Sequence, residues 1–197
     1  MARIFNCPIS VTPRATLAAV ILILTIPSQW STAWLTAAMI HELLHCIGVW
    51  ISGGRIYSIH IDLYGAQIKT ALPSSSKEIF CLLAGPLGTM GLLAFSKQFP
   101  CLSICALLQS AYNLLPFPGL DGGQVLLRII GLLFSEDASV RFCNAVSWIT
   151  LFLIVCICLY SGFLLGLGLF PIFLSAILLV RHGNIKIPCK QRHHKVQ

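Results

Sequence analysis

The sequence predicts an all-α polytopic membrane protein of about six transmembrane helices, with a small membrane-associated β-hairpin after the second. Three observations carry that fold class. Of the 197 residues, 57% are hydrophobic and only 10% charged, and the mean hydropathy is +0.87; a soluble domain carries charge on about a quarter of its residues. The apolar residues gather into runs close to the ~20 residues that a spanning helix needs. The 13 Lys and Arg residues are also unevenly placed. With six spans and both termini cytoplasmic, all of them except Lys97 fall on the cytoplasmic side, as the positive-inside rule requires.

The apolar runs lie at about 15–29, 32–52, 78–96, 99–115, 143–160 and 163–181. The first, from Ala15 to Ile26, follows Arg3 and Arg14; it is read as a retained helix extended through Trp30 rather than as a cleaved signal peptide. Pro27-Ser28-Gln29, Ser96-Lys97-Gln98 and Ser161-Gly162 are short enough to join their neighbours as helical hairpins. Between the second and third runs, Ile59, Ile61 and Leu63 alternate with Ser58, His60 and Asp62. Tyr64-Gly65-Ala66 follows as a turn, which is a hairpin pattern. Its edge offers a place for an extended peptide, and a plain structural hairpin fits the same residues.

After the fourth run, Asn113-Leu114-Leu115-Pro116-Phe117-Pro118-Gly119-Leu120-Asp121-Gly122-Gly123 interrupts the helical pattern with two prolines and three glycines. Irregular backbone at membrane depth persists only where it lines a protein cavity or water-filled space. A helix is expected from about Gly122 to Phe134, with Asp121 either as its N-cap or as a metal ligand. The whole chain, 1–197, reads as a single membrane-embedded domain. It has a core over 30–130, two additional C-terminal spans over 143–181, and a short basic cytoplasmic tail at 182–197.

Composition also limits partners. The net charge of +7 lies in loops and tail without interleaved aromatics, which points to the lipid bilayer and excludes a nucleic-acid partner. The nine cysteines have no C-x-x-C pair. Cys81, Cys101, Cys105, Cys156 and Cys158 sit in apolar runs, where cysteine behaves as a small hydrophobe. Cys101 and Cys105, four residues apart, are a weak candidate metal pair.

The chemistry concentrates at His41-Glu42-Leu43-Leu44-His45, in the middle of the second run. An acidic residue there costs about 2.5–3.5 kcal/mol on insertion scales, so ionisable groups inside a span point to function. Residues i and i+4 share a helix face, so His41 and His45 present two imidazoles to one metal ion. Glu42, about 100° round the helix, lies beside that face, where it serves as general base. A hydrolytic zinc site needs a third protein ligand and an open position for water. Among Asp121, His60, Asp62, Glu78, Glu136 and Asp137, Asp121 is the best placed. His60 and Asp62 belong to the hairpin, and Glu136 and Asp137 to a polar loop. The expected cofactor is one Zn2+ per chain.

Three motifs in this order resemble the site-2 proteases, a family of intramembrane zinc metalloproteases. They are His41 to His45 in a span, Ala84-Gly85-Pro86 in the next, and Asn113 to Gly123. The resemblance covers about residues 30–130, and the six-span layout is most similar to the bacterial sporulation-type branch, which processes a sigma-factor precursor. It implies that His41, His45 and Asp121 bind zinc, that Glu42 is catalytic, and that Asn113 and the hairpin hold the substrate. It further implies cleavage of a membrane protein or membrane-associated peptide in a bacterial cell membrane. Two positions depart from the family pattern: Leu44, where a small residue is usual, and Leu114, where Pro often follows the Asn. Asn113 and Gln109, four residues apart, also fit plain helix bridging, and Ala84 to Gly88 fits close helix packing.

Two other classes use some of the same residues. A membrane metal carrier or sensor needs polar groups continuing across the bilayer, and Thr32 to Ile40 and the surroundings of Lys97 offer almost none. A catalytically inactive scaffold has no use for Glu42. A homo-oligomer is as compatible with the sequence as a monomer.

Overall fold

The computed structural model describes residues 8–62 and 65–163. They fall into two compact units, divided after Asn113.

The first unit opens with a short strand, β1 (Ile9–Val11), then α1 (Pro13–Thr25) and α2 (Ser28–Ile51). Thr12 caps α1 by accepting from the Ala15 amide, and Pro13 suits the first helical position, where no donor is needed. The hairpin follows as β2 (Arg55–Asp62) and β3 (Gly65–Ala71), antiparallel, with Asp62 opposite Gly65 and a register shift between Ile56 and Ser58. Gly65 has φ 121°, a backbone setting that favours glycine at the start of the returning strand. Residues 63 and 64, part of the expected turn, lie outside the described residues.

The expected hairpin is therefore part of a larger element. β1 pairs in parallel with β2, setting Ile9 opposite Ile59 and Val11 opposite Ile61, so the sheet has three strands in the order β1-β2-β3. The fold is mostly helical with a small sheet, rather than all-α with one hairpin. Ser10 Oγ bonds His60 Nδ1, and Thr12 donates to the Asp62 carboxylate at 2.7 Å. These contacts bind the chain start to a strand some 50 residues on.

The unit continues as α3 (Ser75–Met90), a 3-10 segment (Gly91–Phe95) and α4 (Pro100–Asn113). Helices α2, α3 and α4 pack on one another. Their shared interior is built from small side chains: Ala33 and Ala37 of α2 meet Cys105 and Ala106 of α4, with Leu92, Cys101 and Leu102 against them. Cys105 thus serves as a small hydrophobe. Gln109 donates to the Trp34 carbonyl at 2.9 Å, so its role is the helix bridge. Gly48 and Gly88 bring α2 and α3 together: a Cβ on Gly48 would lie 3.1 Å from that of Ala84, and one on Gly88 2.8 Å from Leu44.

Large apolar side chains point the other way. Met39, Leu43, Trp50, Phe80, Leu87 and Leu108 are all at least half exposed. Small residues inside and large apolar ones outside is the pattern of helices packed in lipid, where burial of apolar surface gains nothing.

The second unit holds α5 (Asp121–Leu133) and α6 (Glu136–Phe163), which pack together. The segment before α5 is tightly wound. Gly119 has φ 84°, and a Cβ on Gly122 or Gly123 would fall 2.1 Å from the Leu114 carbonyl oxygen or 2.0 Å from that of Phe117. Only glycine lets that turn fold back onto the helix start. Ser147 of α6 donates to the Pro116 carbonyl, satisfying a backbone group that the prolines leave outside any helix.

Three helical stretches among the described residues are long and apolar enough to cross a membrane: Ser28–Ile51, Ser75–Phe95 and Glu136–Tyr160. With its lipid-type exterior, the protein is a membrane protein. The expected first and fourth spans are shorter than read, at 13 and 14 residues, or roughly 20 Å against a hydrocarbon core of about 30 Å. The expected span at 163–181 and the tail lie outside the described residues beyond 163.

Candidate metal centre

α2 carries His41-Glu42-Leu43-Leu44-His45 within a continuous helix, so the i, i+4 spacing brings both imidazoles to one face. Their Nε2 atoms lie 3.1 Å apart, with the rings at 85° and centroids 4.7 Å apart. His41 is 4% exposed; His45 and Glu42 are half-buried.

α3 supplies the other wall. His45 Nδ1 lies 2.8 Å from the Cys81 carbonyl oxygen. A carbonyl can only accept, so Nδ1 carries the hydrogen and a neutral His45 presents its Nε2 lone pair. Gly85 is what admits the ring: a Cβ there would lie 2.3 Å from His45 Nε2. The Ala84-Gly85-Pro86 motif is therefore close packing, as its composition suggested, and the packing is against a candidate ligand. Thr89, fully buried, places Oγ1 3.4 Å from His41 Nδ1 and 2.6 Å from the Gly85 carbonyl oxygen. Sequence reasoning missed Thr89. The available signal was its position four residues after Gly85, on the same face of α3.

Asn113, the last residue of α4, sets its amide nitrogen 3.4 Å from His41 Nε2. The structure thus joins Asn113 to His41 and His45 within the first unit. His60 and Asp62 sit in the sheet, engaged by Ser10 and Thr12. Asp121 is in the second unit as the first residue of α5. The N-cap is Leu120, without a side-chain cap bond, so Asp121 is not the capping residue that one reading of the sequence expected. A carboxylate in the first turn still suits the positive end of the helix dipole.

The donor set fits a divalent transition metal. Two imidazole nitrogens on a tetrahedral zinc, each at about 2.0–2.1 Å, stand about 3.3 Å apart, close to the spacing found here. A ring nitrogen held by a backbone carbonyl is the usual support for a ligating histidine.

No protein-family model and no curated protein matches the sequence. Among solved structures, the chain is similar to a site-2 protease from Methanocaldococcus jannaschii, at 21% sequence identity and a TM-score of 0.63, over 94% of this chain and 95% of that one. At that identity the likeness establishes the fold: this chain is folded like a site-2 protease.

Proposed function

We propose that this chain is an intramembrane zinc metalloendopeptidase that cleaves a membrane-associated protein substrate in regulated intramembrane proteolysis. The observation that carries the reading is the pair of imidazoles on α2, Nε2 atoms 3.1 Å apart, one residue from Glu42 in a helix suited to a membrane. The fold likeness to a site-2 protease supports it. In this reading His41, His45 and Asp121 hold one Zn2+, and 1–197 acts as a single membrane-embedded metalloprotease domain.

Held by these residues, zinc would supply Lewis acidity for the scissile carbonyl and for the attacking water. Glu42 takes the proton of the attacking water and returns it to the leaving amine, as a general acid–base placed beside the ligand face. Asn113 holds a substrate carbonyl through its amide, next to His41. The burial of His41 limits the bulk water that reaches the reacting bond. His41 lies ten residues before the end of α2 at Ile51, or ~15 Å, so the site opens to the cytoplasmic half when both termini are cytoplasmic. A bacterial cell membrane and the sporulation-type branch remain the source and relatives that the sequence motifs suggest.

The test is cleavage of a tagged single-span membrane protein in liposomes by wild type and Glu42→Gln. Loss of cleavage in the variant, with zinc retained, is the expected result; equal cleavage by both rejects the reading.

A further inference from the structure

We infer that Thr89 is a positioning residue for the metal centre: its hydroxyl sets which nitrogen of His41 carries the proton and so turns the Nε2 lone pair towards His45. The inference rests on the zinc reading above.

The chain of donors is short and has one consistent direction. Thr89 Oγ1 lies 2.6 Å from the Gly85 carbonyl oxygen, which can only accept, so the hydroxyl hydrogen is directed there. The same Oγ1 then offers a lone pair to His41 Nδ1 at 3.4 Å. Nδ1 must carry the ring hydrogen, which leaves Nε2 of the neutral ring as the lone-pair nitrogen. Thr89 is 0% exposed and His41 4%, so bulk water does not compete for the bond.

His45 is set the same way by the Cys81 carbonyl at 2.8 Å. Cys81, Gly85 and Thr89 are successive i, i+4 positions of α3, one stripe on one face. That stripe gives each imidazole its acceptor and, at Gly85, the space for the His45 ring. With both tautomers fixed, the two Nε2 atoms stand 3.1 Å apart, and the Asn113 amide nitrogen, a donor, lies 3.4 Å from that of His41. Both nitrogens thereby present lone pairs that one cation can share. A threonine bonding back to the carbonyl four residues earlier is common in membrane helices and by itself only bends or steadies the helix. The second contact, to His41, is what makes this one specific to the metal.

The full-length chain, purified in detergent, tests the inference by zinc affinity in competition with a chromophoric chelator, and by the visible spectrum of the cobalt(II)-loaded protein. Thr89→Val keeps the shape and removes the acceptor. Thr89→Ser keeps the hydroxyl, and Thr89→Ala removes it without added bulk, should valine disturb the packing. Valine and alanine are expected to weaken zinc binding about 10–100-fold with an altered cobalt spectrum, while serine stays within about threefold of wild type. Wild-type affinity in both Thr89→Val and Thr89→Ala overturns the assignment. So does a Thr89→Ser variant as weak as Thr89→Val, since that makes the γ-methyl rather than the hydroxyl the cause. A wild-type chain that binds no zinc overturns the metal-centre reading itself and this inference with it, a failure visible before any variant is made.

Discussion

Two histidine sites in the first unit are built from similar residues and have different consequences. His41 and His45 stand one helical turn apart in α2, with Nε2 atoms 3.1 Å apart and α3 backbone and hydroxyl groups behind them. His60 and Asp62 stand two residues apart on β2, and their partners are Ser10 and Thr12 around β1. In the helix, the ring nitrogens turned towards α3 are engaged by Thr89 and the Cys81 carbonyl, which turns the two Nε2 atoms towards each other. In the sheet, the same kind of side chain is used up in fastening the chain start. The potential to bind metal lies in this orientation, set by neighbours in another helix, more than in the presence of histidine.

Several substitutions would break or sharpen that contrast. The largest effect is expected for Glu42→Gln, which should lower the cleavage rate by about 10²–10⁴-fold while zinc content measured by mass spectrometry stays at the wild-type level. His45→Ala should empty the centre of zinc in the same measurement. His60→Ala should leave zinc content unchanged, and a loss there would dissolve the distinction between the two sites. Gly85→Ala should act through His45: the added methyl meets the ring, so zinc affinity should fall roughly 10-fold or more. Its thermal stability should drop by about 1–3 kcal/mol from overpacking. His60→Ala and Thr12→Ala should cost about 1 kcal/mol or less each, visible as faster amide exchange over Ile9–Val11 with no change in cleavage. The smallest effect is expected for Gln109→Ala, ~0.6 kcal/mol of helix association, measured as a lower unfolding midpoint in detergent.

The sequence made the α2 motif legible because the helical period and the cost of burying a carboxylate both act within a few residues. The β2–β3 hairpin was legible for the same reason, through its alternation. β1 was not: Ile9-Ser10-Val11 is too short to show a period, and its partner strand begins 44 residues after it ends. The start of α6 was missed in a different way. Glu136 and Asp137 look like a polar loop, yet they form the first turn of the helix, where negative charge is favoured by the dipole. An apolar-run criterion finds the buried or lipid-facing length and passes over such a turn. Thr89 illustrates the limit for the site itself. Nothing local marks a threonine in an apolar helix; its meaning comes from His41, 48 residues earlier. Asp121 was legible as the one carboxylate beside the Pro/Gly break, and its assignment as third ligand is part of the proposal.

The central claim is a nitrogen- and oxygen-ligated zinc centre in a chain with nine cysteines. Zinc K-edge X-ray absorption on the purified protein tests it most directly. The account predicts two imidazole nitrogens with the remaining positions filled by oxygen, at about 2.0–2.2 Å, and loss of the imidazole signal in His45→Ala. Zinc held by sulfur at about 2.3 Å, or an imidazole signal unchanged in that variant, would contradict it.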